Sequence, residues 1–314
     1  MNNKNVKFKE NYLELDSKTK MWYATYGNPK GFPILVVHGG PGSGSPTAIT
    51  DFLDVKFFRY IFFDQRGCGK STPHLELKNN NTHQLVEDME ALRKHLKLDK
   101  LTIFGGSWGT TLTLMYAIKY PQNVATMILR GVFLARQEDV DFLYEGKGAN
   151  WFFPKEYEAF QNAVANLKGR TNIAKYYKAL TNKKLDLEYR KKLALDFYKW
   201  EFSLVSVRKR DFKKEYEQEA YDLALLESHY FYNKSFLSSD NYILENAHKF
   251  KHIPTYIIHG HFDIDTRLIG AYLLEQKLDN VKTYYNHMAG HSLLDSSNLF
   301  ALKDILEQLK NKAS

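Results

Sequence analysis

One serine set midway between two glycines, in the stretch Gly105-Gly106-Ser107-Trp108-Gly109, constrains this chain more than any other part of its sequence. The residues before it, 101–104 (Leu-Thr-Ile-Phe), read as a short buried strand, and those over 112–120 carry apolar side chains at helical spacing. Strand must therefore become helix around a single polar residue. So tight a turn strains the serine backbone and presses strand against helix, which flanking positions without a Cβ tolerate. The hydroxyl is then lifted clear of the sheet's end, in the manner of a nucleophile elbow.

Such a turn needs strands that alternate with helices, and the rest of the chain supplies them. Strand signals recur at 12–15, 20–26, 33–38, 59–64, 101–104, 126–129, 255–259 and 282–286. The clearest helical pattern covers 82–96, where Leu85, Val86, Met89, Leu92 and Leu96 share one face and Thr82 is placed to cap the start. Strands separated by helices imply crossovers, hence an α/β fold with a mostly parallel eight-stranded sheet whose two opening strands pair antiparallel. Strand signals stop over 135–246, which is helical and rich in Lys, Tyr and Phe. The expected organisation is a core built from 1–134 and 247–314 with an inserted all-helical cap, 135–246, over the sheet's carboxyl ends, where ligands bind in open α/β sheets.

The formal net charge of +8 raises nucleic acid or anionic membrane as partners. Lysines alternate with acids, as in Lys155-Glu156-Tyr157-Glu158 and Lys213-Lys214-Glu215, and no basic block carries aromatics at base-stacking intervals. No nucleic-acid partner is expected. The opening Met1-Asn2-Asn3-Lys4-Asn5-Val6-Lys7 has no apolar segment of signal-peptide type and no later run reaches the length of a membrane span, so no membrane partner and a cytoplasmic location are expected. The single cysteine, Cys68, excludes an intrachain disulfide and suits a reducing compartment. Cys68 reads as a packed thiol next to the active-site loop rather than a nucleophile. Compact ligand spacings such as His-Glu-x-x-His are missing from the sequence, and neither metal nor cofactor is expected.

A serine hydroxyl is a weak nucleophile near neutral pH and needs a base and an orienting carboxylate. Behind the strand at 255–259 comes Gly260-His261-Phe262-Asp263, and behind the strand at 282–286 comes Met288-Ala289-Gly290-His291-Ser292. Asp263 and His291 are the candidate orienter and base for Ser107. His287 competes with His291 but lies close to the strand end, and Asp265 competes with Asp263. The loop His38-Gly39-Gly40-Pro41-Gly42 has the glycines that let backbone N–H groups approach a substrate. The N–H groups of Gly40 and of Trp108, the residue after the serine, are the candidate oxyanion donors.

These segments together resemble the prolyl iminopeptidases, the proline-specific aminopeptidase branch of the α/β hydrolases. The resemblance spans nearly the whole chain and rests on His38-Gly39-Gly40-Pro41-Gly42, Asp64-Gln65-Arg66-Gly67-Cys68-Gly69-Lys70-Ser71, Gly105-Gly106-Ser107-Trp108-Gly109, Leu129-Arg130-Gly131-Val132-Phe133 and Ala289-Gly290-His291-Ser292. In the helical insertion, Trp200-Glu201 and Glu227-Ser228-His229-Tyr230-Phe231 resemble the family's substrate-amine segments. The resemblance implies an α/β hydrolase fold and a serine aminopeptidase that releases an amino-terminal proline from peptides through an acyl-enzyme. It further implies that Glu201 and Glu227 hold the free amine while Phe133 and Phe231 enclose the ring. A pyrrolidinium is a cation beside an apolar ring, so carboxylates beside aromatics in a partly dry pocket suit it.

Two segments depart from the family pattern. His261-Phe262-Asp263-Ile264-Asp265-Thr266-Arg267 lacks the usual Arg ahead of the aromatic and the usual Pro after the Asp, and Leu143 replaces part of the usual aromatic wall. Both bear on how tight and how proline-selective the pocket is. The competing functions are a broader esterase or amidase on the same scaffold and a non-catalytic ligand-binding protein of the same fold.

Overall fold

The computed structural model describes residues 7–208, 211–212 and 216–313. The opening residues 1–6 and the triplet 213–215, both used in the sequence reading, lie outside them. Eight strands, β1 (Lys9–Glu14), β2 (Lys20–Gly27), β3 (Phe32–Val37), β4 (Phe58–Phe63), β5 (Leu101–Gly106), β6 (Val124–Arg130), β7 (Thr255–Gly260) and β8 (Val281–Asn286), form one sheet in the order β1-β2-β4-β3-β5-β6-β7-β8. The β1/β2 and β2/β4 pairs are antiparallel and the remainder parallel.

Alternation along the strands divides the core between the two faces of the sheet. Leu35, Val37, Ile61 and Phe63 join one apolar cluster, and Ile34, Val36, Tyr60 and Phe62 join the other. The first face is covered by α1 (Thr82–His95) and α2 (Trp108–Lys119), the second by α10 (Ser296–Ala313) through Leu302, Ile305 and Leu309. Covering on both faces explains why the central strands read as continuous apolar runs. Helix α1 is capped by Asn81, which accepts from Gln84 N at 3.0 Å, rather than by Thr82. Thr82 is already helical, and its hydroxyl donates to Ser235 O at 2.5 Å.

Because β4 and β5 flank β3 on opposite sides, the chain turns opposite ways after β3 and after β5, and the loops leaving these two strands face each other across a crevice. Between β6 and β7 lie α3 (Gln137–Tyr144), α4 (Pro154–Ala163), α5 (Asn172–Thr181), α6 (Leu187–Leu204), α7 (Glu217–Tyr232) and the short α8 (Tyr242–Glu245), with no strand among the described residues. Buried aromatic rings hold this segment together. Phe160 stacks on Tyr176 at 4.8 Å and packs near Tyr144, Phe197 and Trp200. Helix α7 is tied to the loop before α1, where Asn80 accepts the Tyr230 hydroxyl on Oδ1 (2.6 Å) and the His229 Nε2–H on its carbonyl (2.8 Å), and donates to Arg66 O (2.9 Å). Helix α9 (Leu268–Glu275) follows β7. No helix among the described residues is long and apolar enough to cross a membrane.

Candidate active site

Ser107 sits between β5 and α2 at φ 57°, ψ −128°, a left-handed conformation that L residues seldom adopt. A Cβ on Gly105 would come within 2.5 Å of Gly109 O, and one on Gly109 would collide with Val37 O of the neighbouring strand. Those contacts explain both glycines of the pattern. Gly106 has a separate cause: a Cβ there would lie 2.5 Å from Nη2 of Arg130, a side chain at the end of β6.

His291 and Asp263 come together behind β8 and β7. His291 Nδ1 lies 2.9 Å from Asp263 Oδ2, and Asp263 also accepts from Thr266 N (2.7 Å) and Thr266 Oγ1 (2.8 Å). Burial alone would raise the Asp263 pKa, but the His291 charge and these hydrogen bonds outweigh it and bring it down to about 2. The ring is packed by Gly131, at φ +61°, where a Cβ would lie 2.8 Å from His291 Cε1. His287 instead stands exposed at the surface, stacked on His261 with centroids 4.3 Å apart. Asp265 occupies the other edge of the imidazole, its Oδ2 3.1 Å from His291 Nε2. Nη1 of Arg130 is 2.8 Å from that nitrogen and donates to His291 O at 3.0 Å. Ser107 and His291 line the same cavity of about 660 Å³, yet Nε2 is engaged by Asp265 and Arg130 and makes no hydrogen bond to Ser107 among the described residues. Among the described residues Asp265 has no lysine or arginine at salt-bridge distance; burial raises its pKa, against which the charges of His291 and then Arg130 act.

The loop that carries Gly40 is tied to the Trp108 indole by one side chain. Gln65 donates from Nε2 to His38 O at 2.9 Å and accepts the Trp108 indole N–H on Oε1 at 3.1 Å. Its backbone N–H donates to His38 Nε2 at 3.0 Å, which fixes the His38 tautomer with its proton on Nδ1. Gly40 adopts φ +100°, and Trp108 is the first residue of α2, where a backbone N–H has no partner within the helix. Cys68 lies 3.4 Å from His38 Nε2, so a histidine is close in space although none is close in sequence. Burial nonetheless pushes the thiol well above its ordinary range, which keeps it protonated.

The helical segment brings Glu201 on α6 and Glu227 on α7 to the same cavity, 7% and 4% exposed. Both meet the hydroxyl of Tyr144, at the end of α3: Glu201 through a short hydrogen bond and Glu227 Oε2 at 3.1 Å. One hydroxyl has one proton to donate, so the contact with the second carboxyl is a hydrogen bond only when that carboxyl carries a proton. Neither glutamate has a salt-bridge partner among the described residues. Burial, then the Asp265 charge, pushes Glu201 well above the usual carboxylate range; burial, then Glu201 and Asp265, does the same for Glu227. Phe133 and Phe231 meet edge to face at 5.8 Å beside them, and Leu143 completes that wall.

A stability test follows from these shifts. A carboxyl whose folded pKa exceeds its unfolded one holds more protons in the folded state between the two values, so stability falls as pH rises through that window. Glu227→Gln is expected to raise Tm at neutral pH by about 1–2 °C, equivalent to ~1 kcal/mol, with the gain shrinking near pH ~4, below the unfolded value. Thermal melts of the two chains at both pH values decide it, and an unchanged or lower Tm at neutral pH would reject the unpaired-carboxylate account.

Comparison with known proteins agrees with this architecture. A family model described as the alpha/beta hydrolase fold matches residues 33–297. The chain is 37% identical to a proline iminopeptidase of Arabidopsis thaliana over 284 residues, covering 89% of this chain and 74% of that one. It is 33% identical to the proline iminopeptidase of Neisseria meningitidis serogroup B, covering 96% of each. Among solved structures, the proline iminopeptidase of Mycobacterium smegmatis superposes with a TM-score of 0.62 at 17% identity over 98% of this chain and 100% of that one, a likeness of fold. Sequence identity of this depth over almost the full length, on a strand-turn-helix scaffold of the matching kind, makes the chain a member of the proline iminopeptidase family within the alpha/beta hydrolases.

Proposed function

We propose that the chain is a serine aminopeptidase that releases an amino-terminal proline from peptides, with the helical segment 135–246 acting as a cap that selects the substrate. The observation that carries this reading is the pair Glu201 and Glu227, buried with no cationic partner among the described residues, in the cavity that also holds Ser107 and His291. A ligand that brings its own cation completes that pocket. A prolinium has two N–H donors for two carboxylates, and its ring suits the Phe133 and Phe231 faces. Its carbonyl is two bonds from the amine nitrogen, so a substrate held there by its amine presents the scissile carbon close by.

In this mechanism Ser107 Oγ attacks the prolyl carbonyl and His291 Nε2 takes the hydroxyl proton. Asp263 holds Nδ1–H and supports the imidazolium. The Gly40 and Trp108 N–H groups receive the oxyanion. His291 then returns the proton to the leaving amine of the shortened peptide, and water hydrolyses the prolyl ester by the same steps in reverse roles. A cytoplasmic site of action belongs to this reading, consistent with a single buried thiol. Hydrolysis of a panel of aminoacyl naphthylamides and simple acyl esters tests it: prolyl naphthylamide is expected to give the highest kcat/KM. A chain that prefers neutral esters would instead be a general esterase.

A further inference from the structure

Asp265 has no place in the mechanism above, yet it is buried and in the same cavity as the two cap glutamates. Its Oδ2 stands 3.1 Å from the ring nitrogen that must receive the serine proton, at ion-pair distance. Arg130 Nη1, at 2.8 Å, offers that nitrogen a donor and so supports the neutral ring with its lone pair free of a proton. Asp265 supports the opposite form, in which Nε2 carries a proton and cannot act as a base. The two partners of His291 Nε2 thus pull toward different protonation states, and the balance depends on where the Asp265 charge is directed.

We propose that Asp265 is a specificity-determining residue that couples the amine pocket to the catalytic base: a cationic amine draws its carboxylate away from His291 Nε2 and so frees the base for Ser107. The idea rests on the aminopeptidase reading for the identity of the cation. Glu201 and Glu227 are near enough for the Asp265 charge to act on both, so an ammonium between them lies in reach of the same field. When the carboxylate turns to the ammonium, the Nε2 proton that its charge stabilised passes to solvent, the imidazole keeps Nδ1–H on Asp263, and the Ser107 hydroxyl takes the place of the Arg130 N–H at the Nε2 lone pair. A neutral substrate supplies no such pull. It meets a histidine whose Nε2 is still occupied, and discrimination arises in the chemical step as well as in binding.

The test splits the substrate into two pieces. Hydrolysis of 4-nitrophenyl acetate by the full chain is measured with and without trimethylammonium chloride, with tert-butanol as the neutral partner of similar shape and Ser107→Ala giving the background. Trimethylammonium is expected to raise the ester kcat about tenfold, the scale of one hydrogen bond to a charged group, and tert-butanol to leave it unchanged. Asp265→Ala is expected to hydrolyse the ester faster than the parent without the cation, to lose the stimulation, and to lose about ten- to hundredfold in kcat/KM toward prolyl naphthylamide. An ester rate indifferent to trimethylammonium in the parent overturns the proposal, and needs no variant to fold. So does an Asp265→Ala chain, folded by its melting curve, whose ester and prolyl activities fall in step. Failure of the parent to cleave prolyl naphthylamide would strike the aminopeptidase reading, while the response of the ester to the cation would still decide the role of Asp265.

Discussion

Ser107→Ala is expected to abolish turnover, by on the order of 10⁶ in kcat, while the melting temperature stays close to that of the parent. The hydroxyl is at a solvent-facing turn and makes no hydrogen bond among the described residues, whereas the backbone conformation around it is fixed by Gly105, Gly109 and the Ser107 N–H bond to Arg130 O at 2.9 Å. Alanine keeps all of that. His291→Ala should be comparably severe, because a nucleophile without its base performs little better than no nucleophile. His287→Ala should be close to parental, since that ring lies on the surface against His261. Labelling with a fluorophosphonate provides a second readout: the parent is expected to react and the Ser107→Ala chain is not. Strong labelling of the variant, or parental rates in His291→Ala, would remove these residues from the roles given to them.

The next largest effect concerns the amine. Acetylation of the proline nitrogen removes its charge and adds bulk where α6 and α7 close over it, leaving two buried carboxylates without the partner that offsets their desolvation. Such a loss costs about 2–5 kcal/mol, or roughly 30-fold to several thousandfold in kcat/KM at ~1.4 kcal/mol per factor of ten. Glu201→Gln and Glu227→Gln keep the shape and remove one charge each, and should depress cleavage of prolyl naphthylamide far more than that of a neutral ester. The pH profile carries the same signature. Because burial raises both glutamates and Asp265, protonation begins at a higher pH than for ordinary carboxyls; as pH falls through that range, KM for the cationic substrate should climb while KM for the ester stays level. Equal rates for N-acetyl-proline naphthylamide and its free-amine counterpart would end the aminopeptidase reading.

Much of this was legible in the sequence because it is written in short-range patterns. All eight strands lie where apolar runs marked them, with ends displaced by up to three residues, and Asn81 rather than Thr82 caps α1 because adjacent Asn and Thr carry the same capping chemistry and only the extended backbone of Asn81 separates them. Ser107, Asp263 and His291 are legible as candidates because each follows a strand, and the structure brings His291 within 2.9 Å of Asp263 and places His291 and Ser107 on one cavity. Arg130 and Tyr144 are not legible in that way. Arg130 reaches a histidine 161 residues away, and the one local trace was Gly106, a glycine that the elbow itself did not require. Tyr144 looked like one aromatic among many until α3, α6 and α7 met around its hydroxyl. Asp265 was visible as an alternative to Asp263, but a sequence does not say which edge of an imidazole a carboxylate will take.

The knot at Asn80 has a consequence for how such pockets diversify. Glu227 and Phe231 share α7 with His229 and Tyr230, the two residues that fasten the helix to a core loop, and Leu226 is packed so closely on Gly42 that a Cβ there would come within 2.8 Å of it. The residues proposed to select the substrate and those that attach α7 thus lie side by side on the same short stretch of helix. A recombinant that takes residues 135–246 from one relative and the remainder from another inherits a pocket whose fastening points lie in the other parent. Transplants of selectivity should succeed when Asn80 and the glycine loop travel with the insertion, and should yield folded but poorly selective chimeras when the crossover is drawn at the boundaries of the insertion alone.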